Sequence, residues 1–134
     1  MKIEDLRKFC RNYGACPSAR LFLEERESIE EVWYDCHNPD WFFWMLETLE
    51  MWDTIHQVTH LCLKDLGEGY WYQALKLAKE GNYPYNEHIT YYYTKGMLKK
   101  GYTLAEIDQI LIDKIKTVTS IKEIEAAILE GEQS

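Results

Sequence analysis

The chain has 134 residues, of which 46% are hydrophobic, and a formal net charge of −8. This length is typical of one domain with its own apolar core, so we expect a single domain over residues 1–134. The acidic balance disfavours direct binding to nucleic acid, because such binding depends on lysine and arginine replacing the counterions of the phosphates.

The N-terminal quarter contains three predicted short helices. Apolar residues over 3–13 recur at helical spacing, and Gly14 ends this helix. Pro17 begins a second helix. A third begins at Ser28, where Ser28 and Glu31 have the spacing of a capping box.

The longest predicted helix runs from about residue 39 to residue 66. Asn38, Pro39 and Asp40 supply an N-cap, a proline at the first helical position and an acid in the first turn. The first half of this segment is apolar on nearly all sides, which is typical of a helix that is buried on all sides. We therefore predict that the other helices pack around this long central helix.

Two further helices are predicted in the middle of the chain. The first covers residues 70–79 and is followed by a turn at residues 82–84. The second covers residues 86–99, with an interruption at Gly96 and an end at Gly101.

Two more capping boxes begin the last two predicted helices. They are formed by Thr103 with Glu106 and by Ser120 with Glu123. Residues 130–134 are expected to form a frayed tail. The sequence thus predicts an all-α fold, a compact irregular bundle of seven or eight helices around the long one, with no strand pattern.

An uneven distribution of charge gives the first candidate site. From Glu24 to Asp53 the chain has ten acids and one base, Arg26. One interpretation is a solvated surface that keeps the protein soluble, and the other is a surface that meets a basic partner or imitates a phosphate backbone. The candidate binding residues in this stretch are Glu24, Glu25, Glu27, Glu30 and Glu31.

A run of three tyrosines gives the second candidate site. Tyr91, Tyr92 and Tyr93 are consecutive in a predicted helix, so at least one must point away from the core. Tyrosine is enriched at protein interfaces, and three nearby lysines are suited to an acidic partner patch. The alternative is a tyrosine-rich core with its hydroxyls at the edge. The lysines are Lys95, Lys99 and Lys100.

One pair of histidines has the spacing of metal ligands. His56 and His60 are four residues apart and therefore share a helix face, and Asp53 precedes them by one turn. Two imidazoles and a carboxylate suit Zn²⁺ or iron. A four-helix di-iron site also needs a second acid-histidine motif, which the other histidines lack. We favour the alternative, in which neighbouring acids satisfy both rings, and expect no metal and no cofactor.

The cysteines are scattered. Cys10, Cys16 and Cys36 with His37 would make a Cys₃His zinc set, but five residues separate the first two cysteines, more than a zinc knuckle allows. Buried packing is the favoured interpretation. A nucleophile and base that are sequence neighbours rarely meet, and the chain has no phosphate-binding glycine loop, so we expect no enzyme.

The N-terminal sequence MKIEDLRKF lacks the apolar segment of a signal peptide. No run approaches the ~20 apolar residues that cross a bilayer, so no membrane contact is expected. The cysteines lack the spacing of a disulfide framework. They are therefore expected to be reduced thiols, and we expect a cytoplasmic protein.

Residues 16–46 carry a spaced pattern of cysteines, tryptophans and apolar residues. Its members are Cys16, Ala19, Phe22 and Leu23, then Trp33 and Cys36, then Asp40, Trp41 and Trp44. This block resembles one in small bacterial and phage proteins of unknown function, and the resemblance implies no activity. We interpret it as a packing unit, in which the three tryptophans are buried against Phe22 and Leu23 and Cys36 fills a small gap.

The leading hypothesis is a non-enzymatic protein-binding module encoded by a phage or other mobile element. One version is an inhibitor whose acids occupy the nucleic-acid groove of a host protein. The alternatives are a metal-dependent enzyme centred on Asp53, His56 and His60, and a self-associating structural protein that forms homo-oligomers.

Overall fold

The computed structural model describes residues 1–66 and 85–133 of the chain. These residues form eight helices and no strand, which confirms the all-α prediction. The predicted helix at residues 70–79 and the turn at residues 82–84 lie outside the described residues. The helices are α1 (Ile3–Asn12), α2 (Pro17–Glu24), α3 (Ile29–Asp35), α4 (Pro39–Thr48), α5 (Trp52–Leu66), α6 (Tyr85–Lys99), α7 (Leu104–Val118) and α8 (Ile121–Gln133).

The contacts within the chain divide it into two units. The first unit comprises Met1–Cys36 and Ser120–Ser134, and contains α1, α2, α3 and α8. The second unit comprises His37–Thr119 and contains α4 to α7. Among the described helices, none combines the length and the apolar character that crossing a membrane requires.

In the first unit, α1 packs against α2, and α3 contacts α8. Arg7 on α1 donates hydrogen bonds to the carbonyl oxygens of Leu23 and Arg26, at and just beyond the end of α2. These two bonds tie α1 to the end of α2 and to the turn that follows it. The buried apolar residues of this unit are Leu6, Phe9, Cys10, Ala15, Leu23, Ile29, Cys36 and Ile128.

The start of α3 has half of the predicted capping box. The Ser28 hydroxyl accepts a hydrogen bond from the Glu31 N–H at 3.2 Å, as expected for an N-cap. The Glu31 carboxylate, however, accepts from the N–H of Glu27 at 2.9 Å and not from that of Ser28. The Glu31 side chain therefore reaches one residue further toward the N-terminus than in a capping box, and it still accepts a hydrogen bond from a free backbone N–H.

The predicted long helix over residues 39–66 is corrected to two helices, because α4 ends at Thr48 and α5 begins at Trp52. Glu50 lies between them with φ 56, and the Met51 N–H donates to the Leu46 carbonyl at 2.8 Å. A left-handed residue followed by this six-to-one hydrogen bond is a Schellman cap. The usual residue at such a position is glycine, so the sequence contained no sign of the break.

Helix α5 contacts α4, α6 and α7, and those three helices also contact one another, so α5 is one of four mutually packed helices and not a unique centre. Its buried face supplies Ile55, Val58 and Cys62. The start of α4 is as predicted, with the Asn38 side chain accepting from the Asp40 N–H at 3.0 Å. The remaining buried apolar residues of this unit are Phe42, Phe43, Leu46, Tyr93, Met97, Ile107, Leu111, Ile112 and Ile115.

The predicted interruption of α6 at Gly96 is also corrected, because the helix runs to Lys99 without a break. Gly96 is buried, and a Cβ atom there would lie 2.5 Å from Cδ2 of Leu66. The glycine therefore permits a close approach of the chain at Leu66, at the end of α5, to α6. Gly101, with φ +100, ends the turn after α6 as expected.

The last two helices begin at the predicted caps. Thr103 and Glu106 form the full reciprocal box, with hydrogen bonds of 3.2 and 3.0 Å. At α8 the Ser120 hydroxyl accepts from the Glu123 N–H at 3.3 Å. The described part of the expected frayed tail, residues 130–133, is helical.

The tryptophans within residues 1–66 are less buried than the predicted packing unit requires. Trp33, Trp41 and Trp44 are only partly buried, and Trp52 is exposed. Cys36 is buried, as expected. Aliphatic side chains and Phe43 fill most of the fully buried positions instead, together with the hydrogen-bonded hydroxyl side chains of Thr59 and Tyr93.

Candidate functional site

The acidic surface comprises Glu24, Glu25, Glu27, Glu30 and Glu31, all five of which are exposed. It extends from the last residue of α2 to the first turn of α3. Carboxylates in a first turn are stabilised by the positive end of the helix dipole, which explains locally why acids begin α3. The structure therefore brings all five predicted acids into one exposed segment of the first unit.

Two arginines neutralise only part of this charge. Arg11 lies 3.8 Å from Glu24, and Arg26 lies 4.0 Å from Glu25 and 3.1 Å from Asp35. Ion pairs between exposed groups are weak and screened by salt. Residues 24–35 contain six acids and one base, a local balance of −5, so the acidic surface is strongly negative.

Large apolar side chains flank the acids on both helices. Leu21 is 62% exposed and lies one turn before Glu24 and Glu25 on α2. Tyr34 is 79% exposed and lies one turn after Glu30 on α3. Residues three or four apart share a helix face, so the acidic surface combines charge with apolar area, as protein interfaces do.

The three consecutive tyrosines do not form one surface. Tyr91 is 60% exposed and Tyr93 is 1% exposed, which confirms that at least one of the three points away from the core. The side chain of Tyr92 lies outside the described residues. Lys95 lies 5.9 Å from the centre of the Tyr91 ring, within the range of a cation–π contact.

Tyr93 belongs instead to a polar cluster in the second unit. Its hydroxyl donates to the Asp65 carboxylate at 2.6 Å, and the Lys114 ammonium lies 2.9 Å from the same carboxylate oxygen. Lys100 donates to the Asp65 carbonyl oxygen. One aspartate thus joins α5 to α6, to α7 and to the residue just after α6.

Burial and hydrogen bonding set the protonation states of Asp65 and Tyr93 in this cluster. Burial alone would raise the pKa of Asp65, but the hydrogen bonds from Tyr93 and Lys114 outweigh it and hold that pKa below its ordinary value. Burial, then the bond to Asp65, raises the pKa of Tyr93. The phenol therefore remains protonated and the carboxylate charged, an arrangement that stabilises packing.

Asp65 was not among the site residues predicted from the sequence, although one feature pointed to it. An acid in the last turn of a helix faces the negative end of the helix dipole. A carboxylate in that place needs a compensating donor or cation, and Asp65 stands in the last turn of α5. The identity of its partners follows only from the packing of α6 and α7.

The candidate metal ligands do not assemble into a site within the part of the chain that the structure describes. Asp53, His56 and His60 are exposed on α5. Within residues 1–66 and 85–133, no three side chains of histidine, cysteine, aspartate or glutamate lie close enough together to hold a metal ion. The proposed Cys₃His set of Cys10, Cys16, Cys36 and His37 is included in this result.

The thiols favour packing over chemistry. Cys10, Cys36 and Cys62 are buried and Cys16 is exposed, and none of the four is in a disulfide. Burial raises the pKa of Cys10 to about 11 and that of Cys62 to about 12. Since the thiolate is the nucleophile, both thiols are unreactive at neutral pH.

Comparison with known proteins found no match among family models, curated protein sequences or solved structures.

Proposed function

We propose that this chain is a non-enzymatic protein-binding module whose acidic surface binds a basic surface of a protein partner. The observation that carries the proposal is the exposure of all five carboxylates along one segment, from the end of α2 through the connection to the first turn of α3, with a local balance of −5 over residues 24–35. Opposite charge accelerates the encounter of two proteins and excludes partners of the wrong sign.

The apolar neighbours of the acids supply the short-range part of binding. Charged rims contribute mainly to rate and specificity, whereas affinity comes from large side chains that are desolvated in the complex. Tyr34 and Leu21 are exposed on the same helix faces as the acids. We infer that both become buried against the partner.

The partner in this proposal is a nucleic-acid-binding protein of the cytoplasm. Its groove is lined by lysine and arginine, and the exposed carboxylates occupy the places of phosphates. The resemblance of residues 16–46 to small phage and bacterial proteins favours a mobile-element origin and therefore a host protein as partner. The chain then acts as an inhibitor of nucleic-acid binding.

The test is an affinity capture from a bacterial lysate, followed by competition. The tagged chain is expected to retain a nucleic-acid-binding protein at low salt, to release it at high salt, and to displace DNA or RNA from the purified partner. The variant Glu27→Lys/Glu30→Lys should weaken binding at least tenfold, because each like-charge contact is unfavourable.

A matched control carries the same change of net charge elsewhere. Glu130→Lys/Asp113→Lys alters two exposed acids outside the acidic surface and should bind as the wild type does. Circular dichroism should show the same helical content for all three proteins. Equal binding by the two variants, or displacement of nucleic acid by neither the wild type nor the control, would contradict the proposal.

A further inference from the structure

A surface of opposite charge lies on α6 and the turn that follows it. Between His88 and Ala105 the sequence has three lysines and no acid, in a chain whose overall charge is −8. The basic surface comprises Tyr91, Lys95, Leu98, Lys99 and Tyr102, all exposed.

The members of the basic surface are held by the geometry of the helix and its cap. Tyr91, Lys95 and Leu98 follow one another at intervals of four and three residues, so they share one face of α6. The N–H groups of Gly101 and Tyr102 donate to the carbonyl oxygens of Leu98 and Met97, which turns the chain back at the end of that helix. The basic surface therefore combines exposed aromatic and aliphatic side chains with the ammonium groups of lysine.

We propose that the basic surface binds the acidic surface of a second copy of this chain. The two surfaces are complementary in charge, with Lys95 and Lys99 against a local balance of −5 over residues 24–35. Each also exposes large apolar side chains: Leu21 and Tyr34 on the acidic surface, and Leu98 with the tyrosines on the basic one. Exposed apolar area with polar residues at its rim marks sites of interaction between proteins.

A contact between two different surfaces of identical chains is heterologous. A pair joined in this way still exposes the acidic surface of one copy and the basic surface of the other, so the assembly closes into a ring or grows as an open chain. The same contact covers the acidic surface. Self-association therefore competes with the partner binding proposed above, although its existence does not depend on that proposal.

The experiment measures the mass of the full chain by sedimentation velocity over a range of protein concentrations. The wild type should increase in mass with concentration at low salt and return to the monomer at high salt. Lys95→Glu/Lys99→Glu and Glu27→Lys/Glu30→Lys should each weaken association at least tenfold. A control, Lys8→Glu/Lys122→Glu, changes two exposed lysines outside the basic surface and should associate as the wild type does.

Mixing the two surface variants in equal amounts provides the decisive measurement. Each retains the surface that the other has lost, so the mixture should regain association that neither shows alone. A monomeric wild type at all concentrations overturns the proposal, as does a mixture that remains monomeric. A monomeric wild type that binds heparin or anionic vesicles through Lys95 and Lys99 overturns it too and assigns the basic surface to an anionic polymer or lipid.

The result for self-association can be distinguished from the result for partner binding. Lys95→Glu/Lys99→Glu leaves the acidic surface intact, so this variant should still capture the partner. Loss of self-association with retained capture supports both proposals, and loss of capture by this variant contradicts the assignment of capture to the acidic surface.

Discussion

At the scale of residues, Asp65 shows how one carboxylate organises several helices. It accepts from Tyr93 and lies beside Lys114, while its own carbonyl accepts from Lys100. A hydrogen bond to a charged group contributes more to stability than one between neutral groups, and a partly buried carboxylate that lost its donors would be unfavourable. The cluster therefore favours one register of α6 against α5.

The pH dependence of stability should report this cluster. The folded-state pKa of Asp65 lies below its ordinary value of 3.8, so its contribution is present at neutral pH and is lost as the pH falls through the folded pKa. The pKa of Tyr93 is raised above its ordinary value of 10.0, so its contribution is present below pH 10.0 and is lost at more alkaline pH.

Tyr93→Phe removes the hydrogen bond to Asp65 together with the ionisable phenol. We expect it to cost about 1–2 kcal/mol of unfolding free energy at pH 7 and to flatten the alkaline fall in stability. Denaturant titrations at several pH values measure both quantities. Tyr91→Phe is the control, since that side chain is exposed. Equal stability of the two variants would show that the bond to Asp65 contributes nothing.

At the scale of elements, the close approach of α5 to α6 depends on the absence of a side chain at Gly96. Gly96 lies within α6, where glycine is ordinarily less favourable than alanine. The position is nonetheless suited to glycine, because a Cβ atom would meet Leu66 at 2.5 Å. Sequence periodicity predicts a break at such a glycine, whereas packing makes it a point of contact.

A pair of substitutions tests this contact. Gly96→Ala should leave the unfolding free energy nearly unchanged, since the Leu66 side chain must shift and this cost offsets a gain of about 1 kcal/mol in helix propensity. In a Leu66→Ala background the neighbouring side chain is gone, and the same substitution should stabilise by about 1 kcal/mol. Thermal or denaturant unfolding of the four proteins measures the coupling. An equal effect in both backgrounds would mean that Leu66 does not restrict this position.

At the scale of the whole molecule, the question is whether the chain unfolds as one domain. The length predicts a single domain, while the contacts divide the chain into two units. Each unit has a buried thiol that can serve as a probe, Cys36 in the first and Cys62 in the second.

Thiol labelling should answer this question. In the native state Cys16 should react rapidly with an alkylating reagent, because it is exposed, while the buried thiols react at least ~100-fold more slowly. With increasing denaturant, we expect Cys36 and Cys62 to become reactive at the same midpoint, as one cooperative domain requires. Mass spectrometry of the labelled peptides follows each site. Separate midpoints would instead establish two domains.

The sequence by itself determined the helical class and most of the helix starts, because capping residues act through hydrogen bonds to the next few amides. Pro17, Asn38 and Thr103 each begin a helix where local chemistry predicts it. The exposure of the five acids also followed from composition, since unpaired carboxylates are costly to bury.

Only the tertiary structure decided the rest. Glu50 ends a helix in a conformation that its residue type does not favour, Gly96 continues one, and Tyr93 is buried while Tyr91 is not. Gly96 and Tyr93 depend on neighbours distant in the sequence: the Leu66 side chain at Gly96, and the Asp65 carboxylate at Tyr93. The turn at Glu50 is closed by local hydrogen bonds to Glu47 and Leu46, which the residue type does not predict. Local patterns describe which faces of a helix are apolar, and packing selects which of them is buried and where the chain must turn.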